Sequence, residues 1–328
     1  MLSIDDIRQP VRDAFSQYTK AFTQTMQSDN PLLAEVLDYI RAKSGKQLRP
    51  LLVLLSAEIS RGVTDKSILA AVALELLHTA SLVHDDVVDS SPTRRGAKAV
   101  HVKWNNKVAV LVGDYMLAKV IGITAEIRNT PILNIVAKLG RDLSSGEIMQ
   151  LHANSTMWID EQQYFRIIDH KTAQLFAACT EAGAESCLAT MRQTTALREY
   201  GRHLGLCFQL KDDIFDYSDA EDLGKPTMND IRDGKATLPL IVSLKRAPKD
   251  ESEQIRQLAE DLINGTVDAF DAEQEIKSFV LRYDGVRYAT ARMHEHKKSA
   301  AEALNVFRES PAKKALLALL EYAVNRDH

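Results

Sequence analysis

From Ser67 to Asp89 the chain runs without a glycine or a proline, and most residues before its last turn are apolar. A stretch of that length and composition is a helix, because strands seldom extend so far. It carries His78 midway and closes on His-Asp-Asp-Val-Val-Asp. At about 100° per residue, Asp85 and Asp89 share a helix face and Asp86 lies beside them. Three crowded carboxylates repel one another unless a cation joins them. An all-oxygen set without cysteine or histidine suits a hard ion such as Mg²⁺. A single cluster of this kind, standing alone, is better explained as a solvated acidic turn.

The remainder of the chain is built to the same pattern. With Gly 14 and Pro 9 in 328 residues, long helices are favoured over a turn-rich β fold. Residues 3–28 carry apolar side chains at helical spacing (Ile4, Ile7, Val11, Phe15, Tyr18, Phe22). Further helices are expected near 31–40, 50–61, 131–153, 160–185, 190–219, 237–247, 251–265, 270–282, 284–307 and 311–325. Lys107–Ile127 is nearly all apolar apart from Asp114 and is expected to be a buried central helix, with Asp114 partnering a basic group. Residues 90–96 form a polar loop, and 218–236 is the only long polar interruption. No repeat or linker divides the chain, so the expectation is an all-α fold, one domain over 1–328.

Hydrophobic content of 45% and charged content of 26% fit a protein with a sizeable core. A net charge of −4 argues against nucleic acid as a partner. Cys179, Cys187 and Cys207 form no CxxC pair and read as reduced thiols of a cytoplasmic protein. The start lacks the apolar core of a signal peptide, and no apolar run is expected to span a bilayer.

The carboxylate spacing recurs at Asp212, Asp213 and Asp216. Arg94 and Arg95 follow the first cluster, and Gly45-Lys-Gln-Leu-Arg-Pro50 lies upstream. Two carboxylate clusters with separate basic residues form an inventory for holding diphosphates through metal ions. From about Leu33 onward these motifs, in this order, resemble those of the trans-isoprenyl diphosphate synthases, the head-to-tail prenyltransferases, and in particular the octaprenyl- and heptaprenyl-type polyprenyl diphosphate synthases.

That resemblance implies a single large helical bundle with a central substrate channel, working as a homodimer with Lys107–Ile127 as a candidate interface. It implies isopentenyl diphosphate and an allylic diphosphate (farnesyl or geranyl) as substrates, and three Mg²⁺ ions, with Mn²⁺ a possible substitute. Asp85, Asp86, Asp89, Asp212, Asp213 and Asp216 become the metal ligands. Lys46, Arg49, His78 and Arg95 become contacts to isopentenyl diphosphate, and Arg94 a contact to the allylic diphosphate. Lys171, Thr172 and Gln209 match positions near the allylic group, and Lys225 and Lys235 match lysines of a flap over residues 218–236. Lys171 and Lys225 thereby join the catalytic set. The family usually has a second basic residue where this chain has Gln47, and Phe208 stands where the family lines its site, although its type reads as core.

Product length in such a channel depends on what lies beneath the first cluster. Ser81 is one turn below Asp85, with Ala80 beside it and Leu77 a turn further down. None of these is aromatic, and Leu74 lies roughly 16 Å below Asp85. The expectation is therefore a medium- to long-chain product, about C35–C45 at 4–5 Å per isoprene unit, with Met116 able to close the channel earlier. Farnesyl or geranylgeranyl synthesis is the nearest alternative. A class I terpene cyclase would not need the Lys46–Arg49 segment or a full second DDxxD, and a non-catalytic regulatory subunit would have lost aspartates that are all present. Glu75-Leu-Leu-His78 matches one half of a di-iron ligand set, but no second ExxH exists.

Overall fold

The helix that dominates the sequence runs Asp65–Val88 in a computed structural model of the chain, which describes residues 3–43, 45–218 and 228–326. Thr64 starts it with a capping box: its hydroxyl accepts from the Ser67 N–H, and the Ser67 side chain accepts from the Thr64 N–H. The same two hydroxyls tie the helix start to Ser186, 3.0 Å from its carbonyl and 2.6 Å from its side chain. From Ala70 to His78 every residue is buried, so the helix has no solvent face over that length. Each fully buried leucine there contributes about 1.5–3 kcal/mol.

Helices Arg12–Thr25, Leu48–Ser60 and Asn106–Ile127 pack around it. The approach of Asn106–Ile127 is close enough that a Cβ on Gly113 would lie 2.1 Å from His84 Nε2. Asp114 stands 3.6 Å from His84, the basic partner expected for it. Lys119 caps the end of Arg12–Thr25, donating to the carbonyls of Thr25 at 2.8 Å and Gln27 at 3.3 Å. The expected N-terminal helix is broken near Pro10, where a 3₁₀ turn (Gln9–Val11) separates Ile4–Arg8 from Arg12–Thr25. Proline has no N–H to continue the ladder.

Two expectations about apolar helices are corrected. Asn106–Ile127 is not buried all round: Ala109, Val112, Gly113, Met116, Val120, Thr124 and Ile127 form a buried stripe, while Leu111 is 66% and Ile121 68% exposed. Sequence apolarity records that a face avoids water, not that this chain itself covers it. In addition, Asp65–Val88 and Asn106–Ile127 are both long and apolar enough, by length and composition, to cross a membrane. Averaging along a helix tolerates the occasional charge that interrupts an apolar run. Asp65–Val88 is mostly buried within the protein.

The polar segment after Asp89 is more ordered than a loop. Thr93–Arg94 and Ala97–Lys98 pair antiparallel, with Thr93 opposite Lys98 and Arg94 opposite Ala97. Arg95 (φ 53°) and Gly96 (φ 72°) are both left-handed, as a tight two-residue hairpin turn requires. The expected helix over 160–185 is likewise interrupted. It runs Glu161–Ile168, passes through a π turn at Asp169–Ala173, and resumes as Gln174–Ser186.

The described chain packs as two compact units: Met1–Arg141 with Leu175–Gly201 and Ala303–Leu319, and Asp142–Gln174 with Arg202–Glu302 and Leu320–His328. Each is assembled from separated segments of sequence. The Met1–Arg141 unit carries the first aspartate motif, and the other carries the second.

Candidate active site

In the first unit Asp65–Val88 supplies Glu75 and His78 from its middle and Asp85 and Asp86 from its last turn, and the hairpin brings Arg94 and Arg95 back towards them. Asp86 is buried, and Arg94 Nε donates to its Oδ1 at 2.8 Å. Asp85 is half-buried and Asp89 exposed at the helix end. Arg95 donates to the Lys43 carbonyl at 2.8 Å. Its guanidinium lies against Gly45, where a Cβ would come within 3.2 Å of Arg95 Cζ. The glycine of the Gly-Lys-x-x-Arg-Pro segment therefore leaves room for an arginine far along the chain. Gln47 takes a left-handed conformation (φ 52°) as it caps Leu48–Ser60, with Lys46 exposed just before it.

Arg49 interacts with the buried carboxylate of Glu75. Glu75 is 4% exposed, and burial pushes its acid constant up while Arg49 and then Arg95 pull it down. Burial works against the charged form of Arg49, and Glu75 works for it. His78 is held well below the usual histidine range by burial first and then by Arg49, Arg95 and Arg94, so it is neutral at pH 7. Two guanidinium groups, one carboxylate and a neutral imidazole leave one surplus positive charge, a setting for an anion. Below this group, Ser81 is half-buried and donates to the His78 carbonyl at 2.9 Å, while Ala80, Leu77 and Leu74 are buried. Met116 is fully buried on its own helix.

In the second unit the π turn carries Lys171 and Thr172. Lys171 pairs with Glu147 at 2.7 Å. Thr172 donates to Gln209 Oε1 at 2.8 Å, and Gln209 Nε2 donates onward to Asp213 Oδ1 at 2.8 Å. The Tyr164 hydroxyl donates to the other Asp213 oxygen. Burial, then Asp212 and Asp216, push Asp213 up to about 7 despite these two donors. Asp216 accepts from the backbone N–H groups of Asn229 and Asp230. Asp212 accepts from Arg326 at 2.6 Å, and that guanidinium also stacks 3.6 Å over the Phe208 ring. Phe208 is thus half-buried under a cation rather than a core residue. Lys235 pairs with Asp233 at 3.0 Å. Lys225 and residues 219–227 of the expected flap lie outside the described residues.

Sequence reasoning missed Glu75 as a site residue, and also Tyr164, Glu147 and Arg326. Glu75 belongs only to the ExxH pattern, and Tyr164, Glu147 and Arg326 belong to no spaced motif. Among the described residues, no three histidine, cysteine or carboxylate side chains converge on one point as metal ligands do. Asp86, Asp212, Asp213 and Asp216 engage protein donors instead. Their chemistry still fits a divalent ion: oxygen-only donors, with Asp213 driven towards protonation by burial and then by its carboxylate neighbours.

An all-helical scaffold with paired aspartate motifs defines the isoprenoid synthase class. A polyprenyl synthase from Caulobacter crescentus, solved with calcium and isoprenyl diphosphate, superposes with a TM-score of 0.90 at 33% identity over 99% of this chain and 98% of that one. Geranylgeranyl pyrophosphate synthase from Bacteroides thetaiotaomicron superposes with a TM-score of 0.83 at 37% identity over 98% and 99%. In sequence, octaprenyl diphosphate synthase from Haemophilus influenzae is 34% identical over 100% of this chain and 98% of its own length. The polyprenyl synthetase family model matches residues 30–274. The chain belongs to the polyprenyl synthetase family and is a prenyltransferase.

Proposed function

We propose that the chain, as one synthase domain over 1–328, condenses isopentenyl diphosphate head-to-tail with farnesyl or geranyl diphosphate to give an all-trans polyprenyl diphosphate of about C35–C45. The observation that carries this reading is the single helix that offers His78 to Arg49 and Arg95, and, two turns later, Asp86 to Arg94. A diphosphate-binding cluster and a carboxylate–arginine pair thereby share one rigid element.

Asp85, Asp86 and Asp89, with Asp212, Asp213 and Asp216, would hold Mg²⁺, which when bound neutralises the allylic diphosphate as a leaving group. Arg94, Lys171 and Lys225 add positive charge to the departing oxygens. Lys46, Arg49, His78 and Arg95 hold isopentenyl diphosphate so that its double bond faces the allylic carbon. As the allylic C–O bond breaks and the new C–C bond forms, a proton leaves the isopentenyl carbon for the released diphosphate. Thr172 and Gln209 orient Asp213, and Lys235 closes over the diphosphate. Ala80, Ser81 and Leu77 set product length; the absence of an aromatic side chain among them favours long chains over the geranylgeranyl length named for the Bacteroides relative.

The exposed Leu111 and Ile121 support a homodimer built on Asn106–Ile127, and three free buried cysteines support a reducing, cytoplasmic setting. The test is a product assay with Mg²⁺, isopentenyl diphosphate and farnesyl diphosphate, read by mass spectrometry. A ladder ending beyond C30 is expected; a ladder ending at geranylgeranyl length refutes the chain-length reading. Mg²⁺-dependent hydrocarbon release without elongation refutes the synthase reading in favour of a cyclase.

A further inference from the structure

The buried polar atoms of the first unit that have no hydrogen-bond partner include the Tyr18 hydroxyl, Glu75 Oε2 and Arg49 Nε. Buried polar groups are nearly always paired, by protein or by ordered water. Tyr18 is fully buried, and Glu75 is one of the few charged residues buried as deeply. The two are electrostatically coupled, since Glu75 opposes ionisation of the Tyr18 hydroxyl. Glu75 also interacts electrostatically with Arg49 and Arg95, and it lines a cavity of about 60 Å³ together with Arg94, Arg95 and Asp86. That volume accommodates several waters.

We propose that Glu75 is the positioning residue of the isopentenyl diphosphate half-site, with Tyr18 bound to it through buried water. This rests on the reading of Arg49, His78 and Arg95 as the groups that take that diphosphate. Two guanidinium groups brought together, Arg49 half-buried and Arg95 exposed, repel each other, and without an anion they separate towards solvent. Glu75 holds them inward while the half-site is empty. It neutralises one charge and leaves the other for the ligand. His78, one turn along the same helix, stays neutral and donates without adding repulsion. Removal of the carboxylate frees two long side chains, which must then be immobilised when the diphosphate binds. The opposing effect is a gain in positive potential. Ordering outweighs it here, because a mispositioned guanidinium loses its paired hydrogen bonds to phosphate oxygens.

The test uses the full-length protein with Glu75→Gln, Glu75→Asp and Tyr18→Phe. Calorimetric binding of isopentenyl diphosphate alone is measured beside KM for each substrate and the melting temperature. Glu75→Gln is expected to weaken isopentenyl diphosphate binding by about 10–100-fold. The loss should fall on KM for that substrate and leave KM for the allylic diphosphate unmoved. Glu75→Asp should recover part of the affinity. Tyr18→Phe should lose about 3–10-fold and add nothing to Glu75→Gln in the double variant. Unchanged or tighter binding by Glu75→Gln, or an equal rise in both KM values alongside a lower melting temperature, overturns the proposal. Wild-type protein that binds no isopentenyl diphosphate overturns the functional reading itself, and this inference with it.

Discussion

Replacing Gly146 by alanine tests whether the π turn positions Lys171. A Cβ at that position would lie 2.9 Å from the Lys171 backbone nitrogen and 3.0 Å from His170 Cβ. Ordinary contacts need about 3.5 Å, so the turn must retreat by roughly 0.5 Å. Overpacking of this kind costs about 1–3 kcal/mol, and alanine returns about 1 kcal/mol of helix propensity. The net loss is about 1 kcal/mol, a fall of about 2–4 °C in melting temperature. Function should suffer more, because the displaced backbone is that of Lys171, whose ammonium pairs with Glu147 on the residue next to Gly146. A misplacement of 1 Å can cost about 10²-fold, so a shift of half that size should lower kcat/KM for the allylic diphosphate about 10-fold. Melting by fluorimetry and steady-state kinetics with the allylic substrate varied would measure both. Wild-type kcat/KM in a variant whose melting point has fallen would show that the π turn does not place Lys171 for catalysis.

Chelation by EDTA should abolish turnover and added Mg²⁺ should restore it, while Asp86→Asn should lower kcat about 10²–10³-fold at saturating metal; full activity in EDTA would refute the metal assignment. Ser81→Phe should shift the product ladder to chains several isoprene units shorter, and an unchanged ladder by mass spectrometry would remove Ser81 from the channel wall. His203 and His296 meet through their Nδ1 atoms at 2.9 Å, and burial, then His203 and Arg292, hold His296 down at about 4. The unfolded chain, with its ordinary value near 6.5, binds a proton that the folded protein refuses, so stability should fall as pH drops from about 6.5 to 4, by roughly 2–3 kcal/mol. Denaturant unfolding at pH 7 and pH 4.5 should show a smaller pH dependence in His296→Gln than in the wild type, and an identical one would refute the assignment.

The helices were legible because apolar periodicity and scarce glycine and proline act locally: the run predicted over Ser67–Asp89 is the helix Asp65–Val88. The π turn at Asp169–Ala173 was not, since its residues are ordinary helix formers and its extra residue per turn is imposed by what packs against it, including Gly146. The hairpin was hidden for a related reason, because only Gly96 signalled a left-handed turn and Arg95 takes the other left-handed position without any compositional mark. Both aspartate motifs announced themselves by spacing. Their supports did not: Arg326 reaches Asp212 across 114 residues, and Tyr164 reaches Asp213 across 49. A pair that far apart leaves no periodic trace. Glu75 was visible only as one half of a di-iron pattern, a reading that looked for metal where the structure has guanidinium groups.

The assembly of each unit from separated segments sets a clock on synthesis. The unit that begins at Met1 draws its last piece from Ala303–Leu319, and the buried Tyr200 hydroxyl waits for the Leu316 carbonyl, 2.7 Å away and 116 residues later. At about 5–20 residues per second, a ribosome needs roughly 9–36 s to go from Arg141 to Leu319. Throughout that interval the apolar Asp65–Val88 helix is already made while part of its unit is still missing. An emerging chain of this design depends on being shielded until nearly its whole length has left the tunnel.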